Sequence, residues 1–136
     1  MGRLIAITIL VLALTACGSS NAIITETGSQ VQIRQMQTRE YDTLNKRDTL
    51  RSVLSTLQDL GFVIDNASYE LATISATKLQ DNQVRMTVTV RKRDDERLAV
   101  RANARVDETP IEDPLAYQDF FAALDKAMFL TLHAVD

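Results

Sequence analysis

One cysteine, Cys17, and one histidine, His133, stand in a chain of 136 residues, and both inform by their isolation. A single thiol excludes an intramolecular disulfide and any zinc or iron–sulfur centre built from cysteines. A single imidazole excludes metal sites that need two, and it leaves little for a Ser–His–Asp arrangement. Asp59 and Asp65 could pair carboxylates for acid–base work, but no nucleophile or apolar pocket is signalled beside them. Walker, dinucleotide-binding, nucleophile-elbow and zincin motifs are all missing. After Gly28 the only glycine is Gly61, so no glycine-rich phosphate loop can be built. These residues lead us to expect no enzyme, no metal and no cofactor.

Arginine is the side chain that recurs with a pattern. Arg85, Arg91, Arg97, Arg101 and Arg105 alternate with apolar positions over two segments, which would direct all five away from a core. Guanidinium groups on a sheet face could dock acidic protein surfaces, lipid phosphates or sugar polymers. The plainer alternative is a solvated sheet face, because the open side of an antiparallel sheet is polar by default. Arg34, Arg39 and Asp42, with Thr43, form a second cluster beside a predicted strand–helix junction, where a structural role in the turn competes with partner binding. The whole chain holds 15 basic and 18 acidic residues, a formal charge of −3. That balance gives no basic excess for nucleic acid.

Cys17 has a context of its own. Of the first 17 residues 13 are apolar, with Arg3 ahead of an apolar region of about 11 residues and small residues at its end. This is the pattern of a secretory signal peptide over residues 1–16. As a helix the run would reach roughly 16 Å, half a hydrocarbon core, so it is too short to span stably. Leu14-Thr15-Ala16-Cys17 resembles the lipobox of bacterial lipoproteins. That resemblance implies an S-diacylglycerol and an N-acyl chain on Cys17, which together make a membrane anchor far stronger than one myristoyl chain. The residue after it is Gly18, not the aspartate that retains such proteins in the inner membrane of enteric bacteria, so an outer-membrane lipoprotein facing the periplasm is expected. Residues 17–30, rich in Ser, Thr, Gly and Gln, read as a flexible tether.

The elements that must position the remaining chemistry lie in one domain, residues 31–136. Val31–Tyr41 alternates loosely and predicts a strand. Asn45, with Asp48 three residues on, approximates a capping box. Leu50, Val53, Leu54, Leu57 and Leu60 then make one helical stripe ended by Gly61. Phe62–Asp65 and Leu71–Lys78 predict a hairpin around Asn66–Glu70. Val84–Val90 and Leu98–Val106 alternate strictly, the clearest antiparallel pair. Asp113-Pro114 opens a final helix, whose apolar face holds Tyr117, Phe120, Phe121, Leu124, Ala127, Met128 and Leu132. The order β-α-β-β-β-β-α predicts an α+β two-layer sandwich, an antiparallel sheet of four to five strands packed by two helices.

Arg34–Arg39, Asp42-Thr43, Leu57–Asp65 and Ile74–Lys78, with the aromatic run Tyr117–Phe121, resemble a family of small bacterial envelope lipoproteins, a likeness that brings no catalytic assignment. The element order is similar to that of the helix-grip domains of BamC, a lipoprotein of the outer-membrane barrel-assembly machine, in topology alone. The expectation is a non-enzymatic adaptor bound to the membrane through Cys17. It would contact an envelope protein through Arg34, Arg39, Asp42 and the five sheet arginines. An alternative is a carrier or sensor of a small amphiphile held between the sheet and the final helix, beside Met86, Phe120, Phe121 and Met128.

Overall fold

A computed structural model describes residues 29–80 and 82–134. Ile33–Asp136 forms one compact unit. Its elements are β1 (Thr38–Tyr41), α1 (Lys46–Asp59), β2 (Val63–Ser68), β3 (Thr73–Leu79), β4 (Gln83–Lys92), β5 (Leu98–Val106), β6 (Thr109–Pro110) and α2 (Pro114–Leu132). The sheet runs β1-β5-β4-β3-β2, with the two-residue β6 also on β5, and every pair is antiparallel. Two helices share one face of this sheet, so the fold is the expected α+β two-layer sandwich.

Local chemistry accounts for the helix boundaries. Asn45 Oδ1 accepts from Asp48 N at 3.1 Å and caps α1. Gly61, at φ +85°, ends it in the left-handed conformation that an L side chain resists. Asp113 Oδ1 accepts from Leu115 N at 2.9 Å and Pro114 opens α2. Leu50, Val53 and Leu57 of α1 and Tyr117, Phe120, Phe121, Leu124 and Met128 of α2 meet Ile74, Ala76, Met86, Val88, Val90, Val100, Ala102 and Ala104 of the sheet. Each fully buried Phe or Leu contributes about 1.5–3 kcal/mol by leaving water. Large rings from α2 thus face short alanines on β5, which lets helix and sheet approach closely.

Four expectations need correcting. Residues 29–36 are helical, so neither a strand from Val31 nor a tether through Gln30 describes them. Val31 and Ile33 suggest alternation, yet Ile33 and Met36 suit a helix equally, and Gln, Arg and Met lose little rotamer freedom there. The hairpin turn lies at Tyr69–Ala72 rather than Asn66–Glu70, because β2 bulges between Ile64 and Asn66 and runs on to Ser68. In α2 Leu132 is exposed, as is Phe129, since the last helical turn overruns the sheet-facing core. Finally, the two-residue β6 at Thr109–Pro110 adds a sixth strand to the four or five expected.

One hydroxyl repairs a gap in the sheet. Along the outer edge of β5, Ala102 N donates to Gln37 O at 2.8 Å, and Ile111 N donates to Ala104 O at 2.8 Å. Between them Ala104 N has no strand partner and donates instead to Tyr117 Oη at 3.2 Å. The same hydroxyl donates to Ile111 O at 2.6 Å and accepts from Gln37 Nε2 at 3.1 Å. A buried side chain of α2 therefore takes the place of a missing strand residue.

Candidate partner-binding face

Strand alternation sends odd-numbered residues of β4 and β5 to the side opposite the helices. The register aligns them in rows across the whole sheet. Thr38, Arg101, Thr89, Thr73 and Ser68 form one row, from β1 to β2. Asn103, Thr87, Ser75 and Asn66 form the next, and Arg105, Arg85, Thr77 and Val63 a third. Neighbours in a row stand about 4.5–5.5 Å apart, so hydroxyl and amide groups line this face with guanidinium groups at the borders. Ser75 and Thr87 hydroxyls are 3.4 Å apart, and Thr77 Oγ1 donates to Asp65 Oδ2 at 2.6 Å. Among the described residues, no element packs on this face.

The arginines differ in how much of their charge is already matched. Arg85 and Arg101 are exposed and have no ion pair among the described residues. Arg105 has only a 3.6 Å approach to the exposed Glu108. Arg85 and Arg105 are direct cross-strand partners, a like-charge pairing that costs stability. Arg91 Nη1 donates to Leu71 O at 2.8 Å and braces the β2–β3 turn. Arg97 precedes β5 and is consumed: it donates to Glu40 Oε2 at 2.6 Å and to Asp94 Oδ2 through both Nε and Nη2, at 2.9 and 2.6 Å. Arg93 Nε reaches Glu40 Oε1 at 2.8 Å. Backbone N–H donation from Glu96, then the Arg97 guanidinium, holds the Asp94 carboxyl below the usual carboxylate range.

Arg34, Arg39 and Asp42 do not form one cluster. Arg34 is exposed on the helical residues 29–36. Arg39 points to the helix side, donating to Asp125 Oδ2 at 2.7 Å and lying 5.2 Å over the Phe121 ring. Tyr41 Oη donates to the other Asp125 oxygen at 2.7 Å. Burial, then the hydrogen bond to Asp125, raises the Tyr41 phenol well above its ordinary pKa. Asp42 is exposed; Thr43 Oγ1 and Asn45 Oδ1, rather than Asp42, accept the backbone bonds of the turn. Cys17 lies outside the described residues.

His133 is exposed at the end of α2, stacked on Phe129 at 4.3 Å with Nδ1 2.8 Å from Phe129 O. Asp59 sits on the exposed side of α1. Among the described residues, no three His, Cys, Asp or Glu converge as metal ligands, and no helix is long and apolar enough to cross a membrane. Phe121 and Met128 are sealed, at 1% and 2% exposure. Met86 and Phe120 are equally buried, at 3% and 1%, and lie at the floor of a cleft of about 230 Å³ with Leu60, Phe62, Lys78 and Asp119. The hydroxyl rows were missed by sequence reading, although the Thr–Thr–Ser alternation of β3 and β4 carries their signal. No protein-family model and no curated protein matches this chain.

Proposed function

We propose that this protein is a lipid-anchored adaptor of the bacterial envelope, facing the periplasm, which binds an acidic or polar surface of another envelope protein through its open sheet face. The observation that supports this best is the pair Arg85 and Arg101, exposed and without an ion pair among the described residues, with the loosely paired Arg105 beside them on a hydroxyl-lined sheet face. Guanidinium groups pair bidentately with carboxylates, and their planar fork loses less freedom per hydrogen bond formed than a lysine would. The lipobox-like Leu14–Cys17 segment supports the anchoring, with the outer membrane the expected home.

Crosslinking in cells tests the adaptor, and a single substitution separates binding from folding. Arg85→Glu replaces a repulsive cross-strand pair with an attractive one, so it should raise stability by about 0.2–1 kcal/mol in urea denaturation. The same change should remove the crosslinked partner. Recovery of the native protein alone, or unchanged crosslinks in Arg85→Glu/Arg101→Glu, would discard this reading. Anchoring has a separate readout: palmitate label present in the parent chain and missing in Cys17→Ala.

A second reading has its own observation, the cleft beside Met86 and Phe120. A carrier of a small amphiphile would use it, with Lys78 at the opening as the charged contact. Its volume is below the roughly 300–1,000 Å³ of sites that enclose drug-sized ligands, which favours the adaptor.

A further inference from the structure

The β2–β3 turn presents apolar side chains on a braced backbone. Leu71 is 67% exposed and Tyr69 50%. Beneath them, Leu71 N donates to Ser68 Oγ at 3.2 Å, and Leu71 O accepts from Arg91 Nη1 at 2.8 Å and Thr73 Oγ1 at 3.2 Å. Ala72, at φ 52°, closes the turn with its N–H on Tyr69 O at 3.2 Å. A turn needs no leucine at its tip, where a polar residue would cost nothing.

Behind the tip, a groove of about 270 Å³ runs between α1 and the β2–β3 hairpin, walled by Leu50, Leu54, Ala67 and Ile74, with Arg51 at its rim. Lys46 Nζ and the Arg47 guanidinium lie 4.8 and 5.1 Å over the Tyr69 ring. Arg91 joins them through the turn carbonyl. Among the described residues, the Arg51 guanidinium is 3.7 Å from Asp48, and Glu70 stands on the turn itself. Exposed leucine and tyrosine ringed by Lys and Arg match the chemistry of a membrane interface: apolar tips, an aromatic ring at headgroup depth and cations toward phosphate. Protein interface cores, by contrast, are depleted in lysine.

We propose that this end of the domain is a seat for an anionic phospholipid surface. Leu71 and Tyr69 enter the headgroup–acyl boundary, the groove takes part of one acyl chain, and Lys46, Arg47 and Arg51 meet lipid phosphates. The seat goes beyond the adaptor reading and uses residues apart from its three arginines, so it stands whether or not Cys17 carries lipid.

The chain contains no tryptophan, so Leu71→Trp in the full chain is a single local reporter. With vesicles of brominated phosphatidylcholine and phosphatidylglycerol, its emission should shift to the blue and be quenched. With phosphatidylcholine alone it should not, and added salt should reverse the effect. Val63→Trp, about 20 Å away at the other end of β2, should stay unquenched. Each cation near an anionic surface is worth about fivefold, so Arg47→Gln/Arg51→Gln beside the reporter should lower the seated-to-free ratio about 25-fold. No quenching with phosphatidylglycerol, equal quenching without it, or indifference to the double substitution would overturn the seat. Equal quenching by a free brominated fatty acid without vesicles would overturn it in favour of a soluble carrier. Palmitate labelling at Cys17 reports on the anchor separately, so the two ideas fail independently.

Discussion

Tyr117 shows how much one side chain can hold. Its hydroxyl makes three hydrogen bonds, buried ones with Ala104 N and Gln37 Nε2 and a partly buried one to Ile111 O. Tyr117→Phe keeps the ring and removes all three, leaving a backbone N–H and a carbonyl unpaired at the seam between β1 and β6. Unpaired buried groups cost about 1–3 kcal/mol each, so urea denaturation should report a loss of about 2–4 kcal/mol. Hydrogen exchange at Ala104 N should accelerate in the variant, marking the seam as the place that loosens. Periodicity identifies Tyr117 as core; its polar duty follows from a partner 13 residues earlier and a third 80 residues away.

At the scale of elements, α1 and the hairpin after it meet at Gly61. A Cβ built there would lie 3.6 Å from Lys78 Cε, an ordinary contact, so space is not the obstacle. The obstacle is φ +85°, which costs an L residue about 1–2 kcal/mol. Gly61→Ala should therefore destabilise by that amount in a thermal or urea melt, with little change in structure. An unchanged melt would mean that the helix end can relax out of the left-handed conformation. This glycine, the Asn45 cap and the Asp113-Pro114 start are all visible in sequence, because caps depend on neighbours within four residues. Residues 29–36 are not, since so short a segment satisfies strand and helix patterns together.

For the whole molecule, the edge strand β1 is tied to α2 by Asp125, which accepts from both Tyr41 and Arg39. The neutral phenol is the form this tie needs. Tyr41 has a raised pKa in the folded chain and an ordinary one near 10 when unfolded. Its contribution is therefore complete below about pH 10 and is lost as pH rises further, because the unfolded state then gives up the proton first. Melting temperature should fall as pH climbs from about 10 to 11, and Tyr41→Phe should flatten that slope. A slope identical in the variant would assign alkaline unfolding to other groups. Asp94 works at the opposite end: its lowered pKa makes its contribution complete above the ordinary carboxylate range and lost as pH falls through its own value.

Sequence alone was enough for the α+β class, the two caps, the apolar stripe of α1, the β4–β5 pair and the single thiol with its lipobox-like setting. All of these rest on spacing within a few residues, or on a count. Only the tertiary structure decided which arginines are available. Five look alike by alternation, yet Arg97 is paired with Glu40, 57 residues away, and Arg91 is tied to Leu71, 20 residues away. Arg39 turns to the helix side to meet Asp125, 86 residues on. Arg85 and Arg105 become neighbours only through the β4–β5 register. Charge acts through distance in space, and a sheet whose first strand pairs with its fifth brings together residues that no local pattern relates.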